Sequence, residues 1–255
     1  MSSRTPSISP MKALFLTAAV LFASAFRPGP VAGDECTERA LAAIEEPDAA
    51  VTPPAWVEPG MESSVWRLAE ASATVEGDDL RKCLLREAEA DARGALAEDE
   101  TSIPARLALA VILGMRADAE GGRTRVHAAS ELYEQLGKIL EMEPDHARAR
   151  HMLGRLHAGV RRMNRVTRWV ATSLLGGGAL KEASWEAAEA NLAFAEEAVP
   201  EVADHHLQLA NLYHDTDRPA LALEEVRHVL ALPVDSPMSE AVHAEASELA
   251  VKLGG

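Results

Sequence analysis

The 255 residues carry 40 acidic against 25 basic side chains, a formal net charge of −15. That balance excludes a nucleic-acid-binding role, which needs a basic face. Hydrophobic residues make up 47% of the chain but aromatic ones only 4%, so the core is expected to be built from Ala, Leu and Val in closely packed helices.

Residues 1–33 hold Arg4, Lys12 and Arg27, no acid, and an apolar run over 13–26. The run is shorter than the roughly 20 residues of a membrane span and has the proportions of a signal-peptide core. We read the segment as an export signal, which places the mature chain in the periplasm or outside the cell with no stable membrane span. A mitochondrial presequence is the competing reading, and the continuously apolar rather than amphipathic centre disfavours it. Residues 34–62 follow as a short helix over 36–46 and a Pro-rich connector. The two cysteines, Cys36 and Cys83, leave two arrangements open: one disulfide tying the N-terminal helix to the rest, or two buried thiols.

From 63 to 255 the pattern is helical throughout. Residues 65–73 and 80–96 form a first hairpin, with Leu80, Leu84, Leu85, Ala88 and Ala92 on one face. Residues 104–117 and 126–142 form a second around a Gly121-Gly122 turn, and 146–160 opens a third. Between 161 and 178 sits an inserted segment. Arg161, Arg165 and Arg168 recur there at i, i+4 and i+7, so they are expected on one helical face, with Val166, Trp169, Val170 and Leu174 on another. Gly176-Gly177-Gly178 before Lys181 lacks the Gly-Lys-Ser/Thr ending of a phosphate loop and reads as a helix stop. Ser184 caps a helix over 185–198, residues 203–214 and 219–230 make a further hairpin, and 237–253 closes the stack.

A register runs through these elements. Pro104 precedes Gly114, Pro144 precedes Gly154 and Pro200 precedes Ala210, each by ten residues. A small residue at a fixed helix position admits a close neighbour, and proline suits a helix start. Stacked hairpins, each too small to bury its own apolar face, follow this logic. The pattern resembles the tetratricopeptide repeat, with Ala188, Leu192, Ala195, Leu209, Ala210, Tyr213 and Ala222 on its small and bulky positions. Pro144 and Pro200 stand 56 residues apart, about 22 more than that repeat's period. The long copy, with Leu153-Gly154-Arg155, His157, Trp169 and Ala183-Ser184-Trp185-Glu186-Ala187-Ala188-Glu189, resembles the regulator of microtubule dynamics family and its bacterial relatives. The resemblance implies an all-α fold, a right-handed superhelix of antiparallel helix hairpins.

No His-Glu-x-x-His, Cys-x-x-Cys or Gly-x-Ser-x-Gly motif occurs in the nine-histidine chain. His205 and His206 are adjacent and point apart on a helix. No catalytic, cofactor-binding or metal-ligating residue is assigned, and no enzymatic activity or cofactor is expected. The repeat's register instead implies a concave groove lined by Met115, Arg148, His151, Arg155, Asn211 and His214, with Leu207 where a carboxylate clamp would need Lys. Arg161, Arg165 and Arg168 either pair with the chain's own carboxylates or form an anion-recognition face. The chain is thus expected to be an exported, non-enzymatic scaffold for a protein or peptide partner, possibly acidic. An accessory role in extracytoplasmic solute transport, or a microtubule-regulating or organelle-tethering role, are the alternatives.

Overall fold

A computed structural model describes residues 57–254 apart from Glu76, Asp235 and Ser236. The export signal, the 36–46 helix and Cys36 lie outside the described residues. The described residues form α1 (Ser63–Thr74), α2 (Asp78–Glu98), α3 (Ile103–Ala119), α4 (Gly122–Met142), α5 (Ala147–Arg162), α6 (Arg165–Ser173), a 3-10 turn (Gly178–Glu182), α7 (Trp185–Ala198), α8 (Ala203–Asp215), α9 (Pro219–Ala231) and α10 (Pro237–Leu253). No strand occurs among them, and none of their helices is long and apolar enough to cross a membrane.

The helices pack as the hairpins α1/α2, α3/α4, α5/α7 and α8/α9, with α10 against α8 and α9. Successive hairpins touch through α2 and α3, α4 and α5, and α7 and α8, which is the nearest-neighbour stacking of an α-solenoid. The apolar faces explain the pairing. Leu84, Ala88 and Ala92 of α2 meet Leu107, Ile112 and Leu113 of α3 and Leu136 and Ile139 of α4 in the largest core cluster. Leu207, Ala210, Val226, Val229, Val242, Ala246 and Leu249 form a second under α10. Cys83 is buried and disulfide-bonded, which removes the free-thiol alternative for it.

Local chemistry sets the helix starts. The Ser102 hydroxyl accepts from the Ala105 N–H at 3.2 Å and Pro104 lies in the first turn of α3. Ser184 accepts from the Ala187 N–H at 3.0 Å, as its sequence position indicates. Pro144 and Pro200, by contrast, sit in the turns ahead of α5 and α8 rather than inside the first helical turn. Gly154 and Ala210 therefore each fall eighth in their helices, whereas Gly114 falls twelfth in α3, so the register holds structurally for the last two copies and not for the first. Its purpose is plain at Gly154: a Cβ there would lie 2.7 Å from Leu192 Cγ and 3.0 Å from the Ala188 carbonyl oxygen. The absent side chain lets α5 and α7 close on each other.

Candidate functional site

The inserted segment departs from the expected single helix. Helix α5 ends at Arg162, Met163 is extended, and Asn164 restarts the chain as the N-cap of α6, its side chain accepting from the Thr167 N–H at 2.9 Å. Arg161 therefore lies on α5, and Arg165 and Arg168 on α6, so the three share no helical face. Arg168 Nη1 donates to the carbonyls of Arg161 and Met163, both at 3.2 Å, and so ties off the end of α5. The neighbouring Arg162 donates from Nε to Asp215 at 2.6 Å.

Helix α6 is held down at its far end. Gly177 N–H donates to the Ala171 carbonyl at 3.0 Å, and a Cβ on Gly177 would meet Val126 Cγ1 at 2.8 Å. Leu180 of the 3-10 turn is buried with Ala129 and Val160, locking the insert against α4 and α5. The outer face is another matter. Val166 is 72% exposed, Trp169 58% and Leu174 57%, with Arg165 exposed beside them. These open aromatic and branched side chains leave an apolar surface with a basic flank.

The groove candidates divide. Asp204, in the first turn of α8, accepts from Arg155 Nη1 at 3.0 Å and from Gln208 Nε2 at 2.8 Å, and lies 3.1 Å from His151 Nε2. Burial alone would raise the Asp204 carboxyl, but the Arg155 charge and the His151 and Gln208 hydrogen bonds hold it well below the usual carboxylate range. The His151 ring stacks on His205 with centroids 4.6 Å apart. Burial and then His151 push the His205 pKa down to about 4, so that imidazole is neutral at pH 7. His151 and Arg155 thus hold α5 onto α8. Arg148 Nε contacts Glu58 Oε1 at 3.2 Å, and Met115 packs against the largest core cluster. Asn211 Nδ2 donates to Glu245 Oε1 on α10 at 3.0 Å, and His214 is exposed in the last turn of α8. Leu207, at the clamp position, is buried in the core under α10.

A second polar cluster went unassigned in the sequence. His206 of α8 places Nδ1 2.9 Å from Glu225 Oε2 on α9 and Nε2 2.9 Å from the Pro200 carbonyl oxygen. His228 Nδ1 lies 3.5 Å from the same Glu225 oxygen, and Glu196 Oε1 of α7 lies 3.7 Å from His206 Nδ1. The signal available was Glu225-x-x-His228, an i, i+3 pair on one face of α9, paired across the hairpin with His206 rather than with its neighbour His205.

Comparison with known proteins bears on this architecture. The family model for regulator of microtubule dynamics protein 1-3 matches residues 58–254, from the start of the described chain to the end of α10. The mouse protein named regulator of microtubule dynamics protein 3 is 29% identical over 114 residues, 43% of this chain. That stretch is 24% of the mouse protein, so the match spans about a quarter of that relative's length.

Proposed function

The chain belongs to the regulator of microtubule dynamics family, and on that premise we propose that it is a non-enzymatic helical-repeat scaffold of tetratricopeptide type, from the family's bacterial branch, that holds a protein or peptide partner outside the cytoplasm. The observation that carries this reading is the outer face of α6. A helix inserted within a hairpin, capped at both ends and packed on its inner side, turns Val166, Trp169 and Leu174 outward beside Arg165. A soluble surface gains nothing from an open Trp and two open aliphatics on one short helix unless something covers them. The matching partner presents an apolar side chain with an acidic flank, because the arginine favours carboxylates at the rim.

A photo-crosslinking amino acid at position 169 tests the reading, with the same group at exposed position 251 on α10 as the comparison. One adduct of defined mass from the native envelope fraction, formed only from position 169 and lost with Val166→Asp, is the expected result. Equal labelling from both positions, or unchanged labelling in Val166→Asp, would refute it. The second reading, a microtubule-regulating or organelle-tethering role, rests on the family and on the name of the mouse relative. Saturable co-sedimentation with polymerised tubulin would favour it, and pelleting no greater than that of an unrelated acidic protein would remove it.

A further inference from the structure

The cluster at the junction of α7, α8 and α9 has an electrostatic peculiarity. A carbonyl oxygen only accepts, so His206 Nε2, 2.9 Å from the Pro200 oxygen, carries a hydrogen. In a neutral ring this leaves Nδ1 as a bare lone pair, and what it faces at 2.9 Å is a carboxylate oxygen of Glu225. Two acceptors at that distance repel unless a cation lies between them. His228 Nδ1 on the same face of α9 and Glu196 Oε1 from α7 add two further donors around that point.

We propose that His206, Glu225 and His228 bind a divalent transition-metal ion of the Zn2+ class, with Glu196 or water completing the shell. The ligand atoms of the first three lie within 4.8 Å of one another. Donors around a tetrahedral Zn2+ stand roughly 3.4 Å apart when their bonds are about 2.1 Å, so seating the ion requires the Glu225 carboxylate to draw back from its 2.9 Å contact and the half-exposed His228 ring to turn inward. Two imidazoles and a carboxylate suit Zn2+ over the harder Mg2+ and Ca2+. The Pro200 carbonyl fixes the tautomer and ring direction of His206, as metal-bound histidines require. His206 is buried and supplies the rigid side of the site. His228, 51% exposed on its side chain, supplies the open side through which an ion enters. A proton on Nδ1 is the competitor for the same place, since it would bridge the ring to the Glu225 oxygen at 2.9 Å.

The test uses the full chain stripped of metal by chelator and dialysed, titrated calorimetrically with ZnCl2 at pH 7.5, with native mass spectrometry for stoichiometry. One Zn2+ per chain is expected, with affinity weakened at least tenfold in Glu225→Gln and in His228→Ala and unchanged in His127→Ala. Co2+ loading should give the intense visible absorption of a four-coordinate site, absent in Glu225→Gln. His228 and Glu225 are chosen because neither fills the apolar core, and far-ultraviolet circular dichroism checks that both variants fold. No saturable binding by the folded chain, or affinity unaffected by both substitutions, would overturn the proposal and leave a proton as the cation between His206 and Glu225.

Discussion

Replacing Gly154 with alanine isolates the close approach on which the third hairpin depends. An alanine in a helix interior gains about 1 kcal/mol over glycine from backbone entropy. At position 154 the new methyl would stand 2.7 Å from Leu192 Cγ, a branch point, and 3.0 Å from a backbone oxygen of α7. Neither can retreat alone, so α7 must shift, at an overpacking cost near the upper end of the usual ~1–3 kcal/mol. The net expectation is a loss of about 2 kcal/mol, or roughly 4–8 °C in melting temperature for a chain of this size. Gly159→Ala is the internal control. It lies in the same helix, its Cβ would meet nothing within 4 Å, and it should stabilise by up to ~1 kcal/mol. Urea unfolding of the two variants should therefore differ by about 3 kcal/mol. If Gly154→Ala were as stable as Gly159→Ala, the close packing of α5 on α7 would not be what the small residue serves.

Four further outcomes rest on the polar groups. Burial pushes the Asp118 carboxyl up to about 7 against the pull of Arg155 and Arg125, so between about pH 4 and pH 7 the folded chain holds a proton that the unfolded chain has lost. Stability from this group falls as pH rises through that window, and Asp118→Asn should recover on the order of 1–4 kcal/mol at pH 8 while changing little at pH 4. His205, with its pKa lowered to about 4, has the opposite sign: its contribution is intact above pH 6.5 and lost as pH falls toward 4, so His205→Gln should flatten the fall in melting temperature between pH 6.5 and pH 4. Asp204→Asn removes the negative charge facing Arg155 and His151 and one of the two acceptor oxygens, and should cost about 2–4 kcal/mol by urea unfolding at pH 7, tempered by the partial exposure of the carboxylate. Arg218 forks onto Glu189 at 2.8 Å through both Nη atoms and lies over Tyr213, yet a third of it is exposed, and Arg218→Ala should cost no more than ~1 kcal/mol.

How much of this was legible in the chain depended on distance along it. The hairpins, their order and the insertion between α5 and α7 follow from apolar spacing, caps and the recurring small residue, all of which are local. Ser184 and the glycines after Leu174 act as their types predict. The reading of three arginines on one face failed because it weighed an i, i+4, i+7 pattern and passed over Asn164, whose capping side chain breaks the helix between the first arginine and the other two. His151 and Arg155 were legible as polar residues on α5, but their partner Asp204 is about fifty positions away, and nothing local to either marks a carboxylate opposite. Similarly, the neighbour that matters to His206 is not His205 but a residue on the returning helix.

A chain with so few aromatic side chains must join its hairpins some other way, and the junction between the third and fourth shows how. Ala158, Ala188, Leu192, Leu209 and Leu212 fill one end of it with small and branched aliphatics. The other end is closed by the Arg155, His151 and Asp204 ion cluster. Aliphatic contacts are tolerant of sliding, because one methyl packs much like the next. An ion cluster with short hydrogen bonds is not, since a displacement of one residue leaves buried charge without a partner. The aliphatic end therefore supplies most of the attraction between α5 and α8, and the charged end sets the register in which α8, α9 and α10 continue the stack. That register also brings Glu196 of α7 to within 3.7 Å of His206, so the geometry of the proposed metal site depends on the same junction that orients the hairpins.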